Sequence, residues 1–311
     1  MASFALEVTR FGFALLGRVA PDVAGRLAFR LFCVTPSKKP AAGRASSAFA
    51  AGKAKLAGAR RVMLQLPFGA VATHVLERPG EGPRPRVLVV HGWGSRVEYL
   101  ADLITGLAVV ADVVALDLPG HGQSSGRYLN LRQAAEALAA AEGHFGHFDG
   151  AVGHSLGGAA VMTAAGCVFP ADRYLHPGRL VLIGAPSRIA PVLGGFADTL
   201  ALSSKVRARM LAAAERVAGC PIEAFDTIPI AKRLKLPLLV AHAEDDKEVS
   251  ADNARRYEML DGDVRVLWAN GHGHRRIVSA PETIAAVADF LQAPIIVASP
   301  PTGAIRKLSS I

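Results

Sequence analysis

The amino-acid sequence predicts an α/β fold, a mostly parallel eight-stranded sheet flanked by helices, with a short helical cap insertion and an N-terminal helical extension. Three observations carry this expectation. Short apolar runs alternate with longer amphipathic stretches from residue 61 onward. The runs are continuous rather than alternating, which suits strands covered on both faces. After Ala185-Pro186 the pattern stays helical for about 50 residues before the next run, and an insertion of that size at a strand end reads as a cap.

The first 61 residues hold the charge imbalance. Lys and Arg number 35 against 26 Asp and Glu. Eleven of the basic residues but only Glu7 and Asp22 precede residue 62, so the remainder carries 24 of each sign. Basicity is thus a property of one segment, and with no matching fold motif it gives no expectation of a nucleic-acid partner. The apolar stretch 11–34 is broken by Arg18, Asp22, Arg26 and Arg30, short of the roughly 20 apolar residues of a bilayer span, so no transmembrane helix is expected. The run 11–17 behind Glu7 also makes a poor secretory signal.

Pro21 and Asp22 suit the first turn of a helix, after which Val23, Leu27 and Leu31 recur every four residues while Arg26 and Arg30 mark another face. This is a basic amphipathic helix. It reads as packing on the parent domain or shielding a cleft, as a peripheral membrane contact through residues 1–34, or as part of a targeting peptide. Residues 35–60, rich in Pro, Gly, Ala and Ser, read as a linker or mobile arm that completes the 1–60 segment.

From residue 61 the elements follow in order. Runs 62–66 and 71–77 around Pro67-Phe68-Gly69 suggest an antiparallel hairpin at a sheet edge. Strands are expected at 87–90, 113–118, 151–152, 180–183, 236–241 and 264–268. Helices are expected at 131–141, 156–167, 252–260 and 281–291, the last opened by Pro281. The cap spans about 187–235, the main domain ends at 293, and the proline-bearing tail 294–311 reads as extended or loose. Cys33, Cys167 and Cys220 are too few and too scattered for a disulfide framework or a zinc site, so free thiols and a cytoplasmic location are expected.

The most informative stretch is Gly153-His154-Ser155-Leu156-Gly157, a G-x-S-x-G set between a short apolar run and a helix. A serine held on so tight a turn needs glycines two residues to either side. The turn presents the Ser155 hydroxyl at a helix N-terminus, where developing negative charge is favoured. A hydroxyl needs a base, and the base needs an orienting group. Glu244-Asp245-Asp246 follows the run 236–241, at the strand end where such sheets build their sites, and His272 and His274 follow the last strand. Two backbone donors for an oxyanion are offered by Leu156, after the serine, and by Trp93 in His91-Gly92-Trp93-Gly94.

Taken in order, HGWG, DLPGHGQS, GHSLGG, HAEDDKEV and GHGH resemble the α/β-hydrolase fold family, serine esterase and lipase-like branch, across residues 62–293. The resemblance implies Ser155 as nucleophile, Asp246 as acid with Val249 completing its D-x-x-V context, His274 as base, and Trp93 and Leu156 as oxyanion donors. Ala243 stands where the family commonly has glycine and Ser250 where it has proline, so Asp245 stays an alternative acid and His272 an alternative base. Residues 61–293 then form the catalytic domain.

The other polar positions carry less. Gly120-His121-Gly122-Gln123-Ser124-Ser125-Gly126 imitates a dinucleotide fingerprint but has Ser125 at the third glycine, so it reads as a turn bordering the site. Ser124 and Ser125 lack the glycine flanks of a nucleophile. His154 reads as a packing neighbour, His144 and His147 as surface residues. With no P-loop and no metal motif, the chemistry is expected to need no cofactor.

The expected function is hydrolysis of a carboxylic ester or related acyl compound, a small-molecule substrate, through an acyl-enzyme intermediate. A serine in the nucleophile position disfavours the dehalogenase and epoxide hydrolase branches. Thioesterase, amidase or peptidase, and carbon–carbon bond hydrolase stay open, as does a non-catalytic membrane-associated binding protein. Leu193, Phe196, Leu200 and Leu202 in the cap suggest a medium-sized apolar acyl group.

Overall fold

In the computed structural model, which describes residues 4–77, 84–171 and 173–294, eight strands form one sheet in the order β1-β2-β4-β3-β5-β6-β7-β8. They are β1 (Arg60–Leu66), β2 (Gly69–Leu76), β3 (Arg86–Val90), β4 (Asp112–Leu116), β5 (Gly150–His154), β6 (Leu180–Ile183), β7 (Leu238–His242) and β8 (Val264–Trp268). The expected hairpin is present, with β1 antiparallel to β2 and β2 antiparallel to β4. From β4 to β8 every pairing is parallel. Strand β4 ends two residues earlier than expected, because Asp117 turns out of the ladder, and β7 begins after Pro237, which has no N–H to donate.

The helices are α1 (Phe4–Val19), α2 (Pro21–Phe32), α3 (Arg44–Lys55), α4 (Ala101–Leu107), α5 (Leu131–Phe145), α6 (Leu156–Ala165), α7 (Ala190–Thr199), α8 (Ser204–Ala218), α9 (Thr227–Leu234), α10 (Asp252–Arg255), α11 (Gly273–Arg276) and α12 (Pro281–Gln292). The expected helix over 252–260 is only one turn long and gives way to turns, and α4 had no counterpart in the sequence reading. Side chains alternate across the sheet into two cores. Leu88 and Val90 of β3 join the layer of α5 and α6, while Val87 and Val89 join that of α4 and α12. All four are essentially inaccessible to solvent, and each contributes about 1.5–3 kcal/mol by leaving water. This double coverage is why the parallel strands read as unbroken apolar runs.

The insertion between β6 and β7 folds as α7, α8 and α9, over the side of α6. The N-terminal segment docks on this cap. Ala24 and Ala28 of α2 are fully buried, Asp22 pairs with Arg209 of α8 at 2.9 Å, and a Cβ on Gly25 would lie 2.4 Å from that of Arg209. Packing on the parent domain is thus the reading realised for this side of the helix. Beyond α2, the Thr35 N–H donates to Arg127 O and the Leu129 N–H to Cys33 O, stitching the chain to the main domain.

The linker reading of residues 35–60 is corrected. Residues 44–55 form α3, which is docked rather than mobile. Gly52 lies against the backbone of Glu98, Tyr99 donates to Ala45 O, Lys55 pairs with Asp102, and the Arg96 guanidinium stacks 4.3 Å from the Phe49 ring centroid while donating to Lys38 O. Small residues let a helix approach closely, and composition alone does not separate such a helix from a loose arm. The three cysteines are unbridged, and burial pushes the Cys33 thiol up to about 12. The tail expected to be loose lies, from residue 295, outside the described residues.

Candidate active site

Ser155 stands between β5 and α6 with φ +53° and ψ −124°, a left-handed backbone that a side-chain-bearing residue adopts only under constraint. The constraint is visible. Its N–H donates to Ile183 O at 2.9 Å, a Cβ on Gly157 would meet Val90 O at 2.5 Å, and one on Gly153 would meet Gly157 O at 2.4 Å. The two glycines therefore serve the close approach that the motif predicts.

The sequence-predicted residues converge here. His274 Nε2 is 3.0 Å from Ser155 Oγ, and its Nδ1 is 2.7 Å from Asp246 Oδ2. The other Asp246 oxygen accepts the N–H groups of Glu248 and Val249, both at 2.8 Å. Burial opposes charge on Asp246, but the His274 hydrogen bond and these two N–H groups outweigh it and hold the carboxyl below the ordinary carboxylate range. Asp245 and His272 are not brought in. Asp245 accepts the Gly271 N–H at 2.9 Å, and His272 pairs with Glu282 on the surface.

Among the described residues the N–H groups of Leu156, next to the serine, and of Trp93 donate to no acceptor. The turn that carries Trp93 abuts the serine so closely that a Cβ on Gly92 would lie 2.6 Å from Ser155 Cβ. A hydroxyl, an imidazole and a carboxylate in series, with free donors beside the hydroxyl, can activate the oxygen and stabilise negative charge on an attacked carbonyl.

A model of the alpha/beta hydrolase family matches residues 87–287, most of the chain and every strand from β3 to β8. The chain belongs to the alpha/beta hydrolase family. This alpha/beta hydrolase is also 31% identical over 204 residues to a dihydrolipoyllysine-residue acetyltransferase component of an acetoin cleaving system from Cupriavidus necator, a match covering 62% of this chain and 45% of the relative. It spans less than half the length of the curated relatives it matches. Among solved structures, the carboxylesterase CesB (YbfK) from Bacillus subtilis superposes with a TM-score of 0.58 at 17% identity, over 80% of this chain and 98% of that one. The esterase RhEst1 from Rhodococcus sp. ECU1013 gives 0.55 at 18% identity, over 75% and 98%. These likenesses establish the shared fold.

Sequence reasoning missed the buried frame of the hydrolase site. Asp117, wholly buried, accepts the N–H groups of Val97 at 3.0 Å and Gln123 at 2.9 Å and the His74 ring at 3.2 Å. His91 donates from Nδ1 to Gly92 O and accepts the Leu118 N–H at Nε2, and His121 likewise donates to Pro119 O and accepts the Gly94 N–H. Each ring must be neutral to accept, and burial lowers both, His121 to about 4. They brace the turn carrying Trp93, and the DLPGHGQS stretch borders the site as expected. His154 is the packing neighbour that was expected. Its Nε2–H donates to His274 O at 2.9 Å, and burial pushes it down to about 4, so no second charge stands beside the His274 ring. His242, at the end of β7, holds Val249 O at 3.0 Å and so supports the loop bearing Asp246. The one signal for it was a polar residue closing an otherwise apolar strand.

An apolar cleft opens between the N-terminal extension and the cap, lined by Phe29, Phe32, Leu131, Leu193, Ile222 and Phe225. Phe32 stacks 6.4 Å from Trp93 and meets Phe196 edge-on at 5.2 Å, linking the cleft to the turn beside Ser155. Of the four cap residues singled out in the sequence, Leu193 lines the cleft and Phe196 flanks it, while Leu200 and Leu202 are buried in the core.

Proposed function

We propose that this hydrolase cleaves a carboxylic ester or related acyl compound bearing an apolar acyl chain. The observation that carries the reading is the series of hydrogen bonds from Asp246 through His274 to Ser155, ending on a serine of positive φ at a helix N-terminus. In this reading Ser155 Oγ attacks the carbonyl while His274 Nε2 takes its proton. Asp246 keeps the Nδ1–H tautomer and stabilises the imidazolium, and the N–H groups of Leu156 and Trp93 receive the oxyanion. His274 returns the proton to the leaving alcohol, and water, activated by the same ring, releases the acyl group. The cleft behind Phe32 takes the acyl chain. The free thiols suit a reducing compartment, and we place the protein in the cytoplasm.

A fluorophosphonate probe tests the reading. The expected result is loss of fluoride and a phosphonyl adduct on the peptide containing Ser155, absent in Ser155→Ala. No adduct on the folded protein, or an adduct that persists in the variant, overturns it. Nitrophenyl esters and the matching thioesters of increasing length then define the substrate, the thioesters included because a curated relative is named for acetyl transfer. Phe32→Ala is expected to raise kcat/KM for long over short acyl chains about tenfold, the effect of a pocket enlarged by a few methylenes. An unchanged ratio removes the acyl chain from this cleft.

A further inference from the structure

Two rows of large apolar side chains stand on the surface of the N-terminal helices. On α1, Phe4, Val8, Phe11, Leu15 and Val19 are 54–85% exposed. At 3.6 residues per turn they form one stripe, opposite Phe13 and Leu16, which pack against the core. On α2, Val23, Leu27 and Leu31 recur every four residues and are 38–45% exposed, while Ala24 and Ala28 face the cap. Single exposed apolar residues are ordinary, but eight in two helical rows mark a contact surface.

The charges say what it contacts. Arg18, Arg26 and Arg30 are exposed on the same helices and have no acidic partner among the described residues, whereas Glu7 is engaged by Arg10 at 3.4 Å and Asp22 by Arg209 at 2.9 Å. The helices therefore carry exposed apolar rows flanked, on an adjoining face, by positive charge without an acidic partner among the described residues. A second copy of the chain would bring a like-charged face to this surface, while an anionic bilayer satisfies both features. Among the described residues no helix is long and apolar enough to cross a membrane, so the contact is one of lying on it.

We propose that α1 and α2 form an interfacial docking surface for an anionic lipid bilayer, with the apolar rows entering the boundary between headgroups and acyl chains and the arginines meeting lipid phosphates. Because Phe29 and Phe32 project from the other side of α2 into the cleft, the docked helix is also a wall of that cleft.

The test is co-sedimentation of the full chain with phosphatidylcholine vesicles, with and without phosphatidylglycerol, at low and high salt. Binding to the anionic vesicles that weakens with salt is expected. Phe11→Ser/Leu15→Ser is expected to weaken it more than tenfold, and Arg18→Gln/Arg26→Gln about fivefold per arginine removed. All four side chains are exposed, so circular dichroism and Tm should match the unsubstituted chain, a control independent of the catalytic reading. Absence of binding to anionic vesicles, or equal binding by the apolar double variant, overturns the proposal. A dimer in sedimentation velocity that the same substitutions disperse, in a chain that ignores vesicles, also overturns it and assigns the surface to a second copy.

Discussion

Asp246→Asn is expected to lower kcat for ester hydrolysis about 10⁴-fold while leaving the fold intact. The Asn carbonyl oxygen can still accept the N–H groups of Glu248 and Val249, so the loop keeps its shape. Its amide then turns toward His274 Nδ1 and selects the tautomer with hydrogen on Nε2, which cannot take the proton of Ser155. Asp245→Asn, whose carboxyl accepts only the Gly271 N–H among the described residues, is expected to cost less than about tenfold in kcat. Steady-state kinetics on a soluble ester with both variants separate the roles, and equal losses would remove Asp246 from its assigned place.

Asp117→Asn is expected to cost about 3–5 kcal/mol of stability, because a buried group that answers several donors loses half of its acceptor capacity. In a chain of this size that is about 6–20 °C in Tm, readable by calorimetry. The effect carries a pH signature. Burial opposes the charge of Asp117, yet the His74 hydrogen bond and the Gln123 N–H hold its carboxyl well below the ordinary range. The unfolded chain, with an Asp pKa of about 3.9, therefore takes up the proton first. The contribution of Asp117 is complete well above that value and is lost progressively as pH falls below it toward the folded-state value, so the two Tm curves should begin to converge only below about pH 4 and go on converging as the pH falls further. Parallel curves would show that the ionised carboxylate is not what holds the network.

Much of the architecture was legible because burial on both faces of a sheet leaves a plain trace, the unbroken apolar runs of β3, β4 and β6. Ser155 was legible for a related reason: the close approach of Gly153 and Gly157 forbids other residues there, so the constraint is written in composition. The choices between Asp245 and Asp246 and between His272 and His274 were open to residue-level reading, since neighbours in a turn differ in direction and not in type. A hydrogen-bonded turn at Glu248 and Val249 aims one carboxylate at the imidazole. What stayed illegible depends on partners far along the chain. Helix α3 is defined by Arg96 and Glu98, the role of α2 by Arg209 and Trp93, and that of Asp117 by His74 and Val97, pairs that no local pattern announces.

The docking of α2 on α8 also sets an order of assembly during synthesis. Helix α2 ends at Phe32, and its partner is complete only at Ala218. At about 5–20 residues per second, the first helices wait roughly 10–40 s before the cap that receives them exists. During that interval Phe29 and Phe32 have no cleft to enter, and both faces of the extension are bare. The segment is therefore exposed as a nascent chain well before the cap that receives it has formed.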